Sequence, residues 1–298
     1  MRTLLLSLFL CLLLPATPGN AAETAPPPAQ NATQKTVTTE QFLAAMLVQA
    51  EQGDPRAMLM VANIYQQGMG VQQNYSKVLE WSQKAAFSGD AEGYLRLGHC
   101  HEVGMGTAVD MEKAVKAYEV AVSMNNPLAQ HKMASMLLTG RGVPKDIAKG
   151  LELLQKASDN NNFLASNELG FIFFQGLFGQ KQDFARAKAL FLKSAEQGNL
   201  EGVKNYAIML KDGLGQKADP AGALRWFLIG QKGGLQGNDL QEILDGLKAK
   251  LKPEEIDKAE KAAENFIRAF VERQAQAQPQ APAPSPEQPR TVRQKATK

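Results

Sequence analysis

The residues best suited to chemistry lie close together. His99, Cys100, His101 and Glu102 are consecutive, and the third histidine of the chain, His131, follows them. Imidazole, thiol and carboxylate groups are the usual ligands of zinc. Helical geometry argues against a metal here. Successive residues of a helix point about 100° apart, so 99, 100 and 101 cannot converge on one ion. His101 falls on a position filled elsewhere by Tyr65 and Phe173, a packing slot, and Cys100 beside it reads as a small buried hydrophobe. His99, Glu102 and His131 are instead placed to share one polar surface, with no metal and no cofactor. No Ser-His-Asp or Cys-His arrangement with a defined spacing stands out. The acidic residues are scattered over helix faces, as solvated charges are. The expectation is a protein that catalyses nothing.

A second candidate is Gly68-Met69-Gly70, which could be a phosphate cradle or a hinge. A phosphate loop needs a strand before it and Lys-Ser/Thr after the last glycine, and neither is present. The motif also recurs, as Gly104-Met105-Gly106, Gly140-Arg141-Gly142, Gly176-Leu177-Phe178-Gly179 with one insertion, and Gly213-Leu214-Gly215. A second register keeps step through Asn74, Asp110, Asp146, Asp183 and Asp219. A third runs through Gly53-Asp54, Gly89-Asp90, Asn125-Asn126, Asn161-Asn162 and Gly198-Asn199. All three repeat about every 36 residues, the signature of a repeat architecture.

Each unit has the same plan. A first helix of about 54–67 places Ala57, Val61, Ala62, Ile64 and Tyr65 on one apolar face. Gly68 ends it in the left-handed conformation that lacks a Cβ penalty. Asn74, or Asp in later copies, caps a second helix with Val78, Leu79, Trp81 and Ala85 inward. The glycine pair is therefore a hinge between helices. One position of the first helix holds only Ala62, Gly98, Ala134, Gly170 and Ala207, as two closely crossing helices require.

These residues resemble the Sel-1-like repeat, a relative of the tetratricopeptide repeat. The strongest matches are Leu97-Gly98, Gly140 through Asp146, and Trp81 through Lys84-Ala85-Ala86. Thr107, Phe178 and Pro220 depart from the pattern. The resemblance implies an all-α fold, a right-handed solenoid of five repeats, at about 53–88, 89–124, 125–160, 161–197 and 198–233. Capping helices are expected at 38–52 and 235–273. It also implies a protein or peptide partner on the concave face, in cell-envelope regulation or host interaction. Some secreted members carry a disulfide in each repeat and are linked to β-lactams, which leaves a cell-wall or β-lactam enzyme, or a modulator of one, as the alternative. This chain lacks those paired cysteines.

The remainder of the chain bears on location. Arg2 and the apolar run Leu4–Leu14, followed by Gly19-Asn20-Ala21, read as a secretory signal peptide over 1–21, placing the mature protein in the periplasm or outside the cell. Its removal leaves Cys100 as the only cysteine, so packing must stabilise the fold without a disulfide. Residues 22–35 read as a flexible leader, and the Pro/Gln/Ala-rich segment 274–298 as a disordered tail. Its tip, with Arg290, Arg293, Lys295 and Lys298, is a candidate for weak contact with an anionic envelope, against the simpler reading of a solvated tail. No other apolar stretch is long enough to cross a membrane. Lys and Arg number 33 against 30 Asp and Glu, which gives no electrostatic footprint for nucleic acid.

Aligning the small-residue position of each first helix gives the expected groove. One residue after it come Asn63, His99, Ser135, Phe171 and Ile208. Four after it come Gln66, Glu102, Leu138, Phe174 and Lys211. Three before it come Leu59, Leu95, His131, Asn167 and Lys204. The pattern is polar in the first two repeats and apolar around Leu138, Phe171 and Phe174. Phe171 to Phe174 cannot all face inward, so at least one is expected to be exposed as an anchor for a partner.

Overall fold

The computed structural model describes residues 38–277. The segments read as signal peptide and leader, and the basic tip of the expected tail, lie outside these residues. Among the described residues the regular structure is entirely helical. α1 (Thr39–Glu51) precedes five hairpins: α2 (Pro55–Gln67) with α3 (Tyr75–Phe87), α4 (Ala91–Val103) with α5 (Met111–Ser123), α6 (Pro127–Thr139) with α7 (Ile147–Asp159), α8 (Phe163–Gln175) with α9 (Phe184–Glu196), and α10 (Leu200–Asp212) with α11 (Pro220–Lys232). α12 (Leu240–Lys248) and α13 (Pro253–Ala277) close the stack. The result is an α-solenoid. α13 runs past Arg273, so the first four residues assigned to the tail are helical. Gln274 to Ala277 are good helix formers, and the first proline of the tail comes only at Pro279.

Each hairpin follows from local chemistry. The Asn74 side chain accepts from the Lys77 backbone N–H at 3.0 Å, and Asp146 accepts likewise from Lys149 at 3.0 Å. Each cap removes an orphan donor from the start of a helix. At the other end Gly68 has φ of 69°, and its N–H donates to the Ile64 carbonyl at 2.9 Å. A further bond locks the hinge: the N–H of each second-helix cap donates back to the first helix, Asn74 to Tyr65, Asp110 to His101 and Asp183 to Phe173. The third register has its own logic. Asn125 and Asn161 take φ of 64° and 62° where the other repeats place glycine, a conformation asparagine tolerates. The inserted Phe178 is also left-handed, with φ of 54°.

Stacking is built on close approach. Each first helix packs on its own second helix and on the second helix before it. A Cβ on Gly106 would stand 2.2 Å from the Tyr75 carbonyl oxygen, at the start of the preceding second helix. Gly70 meets Thr39, the first residue of α1, in the same way. So α1 stands where a preceding second helix would, as expected of a cap. The small-residue position also packs as expected. Ala62, Ala134 and Ala207 are fully buried, and a Cβ on Gly98 would lie 2.6 Å from the Tyr118 ring. Tyr118, Leu154, Phe191 and Phe227 occupy equivalent places on successive second helices, all essentially inaccessible. Burying each such side chain stabilises the stack by about 1.5–3 kcal/mol.

Candidate functional site

A cleft of about 570 Å³ lies on the face formed by the first helices of repeats one to four. Asn63 and Gln66 enter it from α2, Leu95, Arg96 and His99 from α4, Leu128, His131 and Lys132 from α6, and Leu164 from α8. Cys100 and Tyr118 form part of the wall. The residues expected in a groove divide accordingly. Asn63, Gln66, His99 and His131 are brought together. Ser135, Asn167, Phe171, Lys204 and Lys211 are not among those lining the cleft. Asn167 accepts from Asn205 at 3.0 Å, and Lys204 pairs with Glu201 at 2.9 Å. Lys211 pairs with Asp212 at 2.5 Å and lines a separate depression of about 430 Å³.

The row four residues after the small position is corrected. Leu138 is only 2% exposed and lies where a Cβ on Gly150 would touch it, at 2.8 Å. Phe174 is half-buried, with ring centroids 5.5 Å from Phe184 and 6.4 Å from Phe191. The Glu102 side chain is 5% exposed. Four residues is little more than one turn, so these side chains share the face of the small position and pack on their own second helix. The exposed member of the phenylalanine run is Phe171, at 46%.

Glu102 does not line the cleft itself but bonds to Tyr118 and Lys132, which do. It accepts from the Tyr118 hydroxyl at 2.5 Å, has Lys132 Nζ at 3.5 Å, and pairs with Arg141 from the repeat-three hinge. Charge-assisted bonds of this kind offset the cost of burying a carboxylate. Within the cleft, Arg96 Nη2 donates to Asn63 Oδ1 at 2.6 Å and to Gln66 Oε1. His131 Nε2 lies 2.8 Å from Glu168. Arg96, Lys132, Glu168 and Asn205 share the position two before the small residue, and this column of inter-repeat contacts is missing from the sequence-derived groove. Its signal was present, since four of five copies are polar and only Met60 is not.

The electrostatics are those of a partly desolvated cleft lined by two cations, Arg96 and Lys132, and one carboxylate, Glu92. Burial pushes the Arg96 guanidinium below its ordinary range, with Cys100 and Glu92 acting in the opposite sense. Burial lowers His99 too, and the charges of Lys132 and Arg96 add to that effect. Burial raises the Cys100 thiol, so it is held as a thiol. The Tyr118 phenol is pushed up for the same reason. Among the described residues no group of three His, Cys, Asp or Glu side chains is arranged to hold a metal. No helix among them is long and apolar enough to cross a membrane. The arrangement offers donors, cations and apolar walls for binding.

The Sel1 repeat family model matches residues 55–90, 91–126, 127–162, 164–199 and 202–230, more than half of the chain. No curated protein matches the chain significantly. Among solved structures, a Sel1 repeat protein from Oxalobacter formigenes is 24% identical, with 72% of this chain and 88% of that one covered and a TM-score of 0.60. A second, c5321, is described as a protective antigen present in uropathogenic Escherichia coli strains displaying an SLR fold. It is 18% identical over 84% of this chain and 70% of that one, with a TM-score of 0.49. A Sel1 repeat protein from Klebsiella pneumoniae is 24% identical over 69% of this chain and 99% of that one, with a TM-score of 0.45. These likenesses concern the fold. With five matched repeats and the hinge, cap and small-residue registers in place, the chain belongs to the Sel1 repeat family.

Proposed function

We propose that this protein is a non-enzymatic scaffold, secreted or periplasmic, that holds a partner protein or peptide on the face lined by its first helices. Sel1 repeat proteins are typically protein-interaction scaffolds. Stacked hairpins present an extended surface of this sort because each repeat repeats the same exposed columns. The observation that carries the reading is the cleft across α2, α4, α6 and α8, where polar donors alternate with Leu95, Leu128 and Leu164. A segment laid across the stack would meet several repeats in turn. The run over residues 1–21 is the basis for placing the protein beyond the cytoplasmic membrane, and cell-envelope regulation or host interaction is the setting that fits.

The test is photo-crosslinking in cells. A photoreactive residue at Phe171, exposed on the first-helix side, is compared with one at Glu80, exposed on the second helix α3. A discrete protein adduct from position 171 alone supports the scaffold reading. No adduct, or equal adducts from both positions, refutes it.

A further inference from the structure

The cleft contains a guanidinium that forms no ion pair among the described residues. Arg96 uses one terminal nitrogen for two neutral amide oxygens, those of Asn63 and Gln66. Among the described residues no carboxylate forms an ion pair with it, and nothing accepts from its Nη1 or Nε. The carboxylates nearby are differently disposed. Glu102 is already held by Tyr118, Lys132 and Arg141. Glu168 is taken by His131. Glu92, one turn before Arg96 on α4, also lines the cleft and acts on Arg96 only at a distance. A partly buried guanidinium with only neutral partners has given up hydration without gaining a charge partner, and a carboxylate is the group that matches its planar fork.

A second observation points the same way. His99 projects into the cleft and feels the positive charge of both Lys132 and Arg96. The imidazole also has the Glu102 carboxylate at 3.7 Å, and Lys132 lies 3.5 Å from that carboxylate, so Arg96, with no ion pair, is the group that favours an anion. The walls of the cleft are not polar throughout: Leu95, Leu128 and Leu164 contribute apolar surface on either side of the two cations.

We propose that this cleft recognises an acidic side chain within an extended peptide segment, with Arg96 and Lys132 taking the carboxylate and Leu95, Leu128 and Leu164 taking apolar neighbours. Position decides for a side chain over a chain terminus. The cations belong to repeats two and three, while the cleft continues on one side to Asn63 in repeat one and on the other to Leu164 in repeat four. Neighbouring helices stand about 8–10 Å apart, so the lining spans several residues of extended chain on either side of the charge. This inference rests on the scaffold reading and gives its partner a chemistry.

The test is an NMR shift titration of the whole mature chain with an acetylated, amidated serine peptide carrying a central Leu-Asp-Leu. Its Leu-Asn-Leu counterpart, a Leu-Asn-Leu form with a free C-terminus, and succinate are titrated alongside. The aspartate peptide is expected to bind about tenfold more tightly than the asparagine peptide. Arg96→Gln should abolish that preference and Lys132→Gln should reduce it. Lys132 is 43% exposed, so its variant keeps the test open if Arg96→Gln disturbs folding. Equal binding of the two amidated peptides, binding of neither, or a preference unchanged in both variants overturns the proposal. Tighter binding of the free C-terminus assigns the site to a chain end, and equally tight binding of succinate assigns it to small acids; either result also overturns it. If the Phe171 adduct forms and aspartate gives no preference, the scaffold reading stands and the acidic specificity falls.

Discussion

The sharpest test of the stacking argument is a double-mutant cycle at Gly170 and Phe191. Gly170 is the small residue of α8, and Phe191 lies opposite it on α9. An alanine Cβ at 170 would sit 2.9 Å from both Cδ1 and Cε1 of the ring and 3.3 Å from Leu190 Cβ. Carbon atoms prefer about 3.5–4.0 Å, so the ring must retreat by roughly 0.6 Å or more. It has little room, being 2% exposed and backed by Phe174 at 6.4 Å. Gly170→Ala gains about 1 kcal/mol of helix propensity, and overpacking costs about 1–3 kcal/mol. The single variant should therefore be destabilised by about 0–2 kcal/mol. Phe191→Leu alone leaves a cavity against the bare glycine and should cost about 2 kcal/mol, less than a full truncation to alanine. Combined, the two recreate repeat three, where Ala134 and Leu154 fill the same places with no exposure. The double variant should then be more stable than the sum of the singles by about 1–2 kcal/mol. Urea unfolding followed by far-UV circular dichroism measures this, provided the slopes agree among variants. Additivity within about 0.5 kcal/mol would refute the proposed contact.

Two further outcomes follow from single residues. His101 is buried in the packing slot, its Nδ1 has no partner, and burial lowers its pKa below the ordinary value, with Lys113 assisting. His99 is lowered too. The unfolded chain therefore binds more protons than the fold once pH drops below about 6.5, and stability falls with acidification through that window until the folded-state pKa values are passed. His101→Leu, which copies Leu137 and Leu210 at the same position, should lessen the drop in urea midpoint between about pH 6.5 and 5; an unchanged drop would contradict this account. Cys100 is fully buried and its thiol is raised by desolvation. It should react with a thiol reagent at pH 8 only after denaturant is added, while reductant leaves the helical spectrum unaltered; fast labelling of the native protein would show that the wall of the cleft opens.

How much the sequence disclosed depended on the range of the interaction. Caps and hinges are decided within a few residues, so Asn74 and Gly68 announced their roles without knowledge of the stack. The small-residue column was also legible, because one neighbour sets it in every repeat. The groove was legible only in part. Helical periodicity gives the direction of a side chain on its own helix and not the lateral offset of the next repeat, and that offset decides whether a side chain meets solvent or a second helix. It hid the column of Arg96, Lys132, Glu168 and Asn205, whereas Leu138 and Phe174 turn inward because they share the face of the small position and meet their own second helices. That column also explains why the cations of the cleft end at repeat three. In repeats two and three its cations reach back to Asn63, Gln66 and Glu102 on the preceding first helix. In repeat four the column holds a carboxylate instead of a cation, and Glu168 pairs with His131 on the preceding first helix, while the former acceptor position is the buried, apolar Leu138. Asn205 likewise bonds to Asn167. The polar ladder thus shifts along the helices by nearly two turns between repeats three and four, about 10 Å at 1.5 Å per residue. Phe171, one residue after the small position, is left exposed beyond that shift. The change from cation to carboxylate at Glu168, together with the buried Leu138 in the third repeat, marks the end of the cations and the start of the apolar surface that succeeds them.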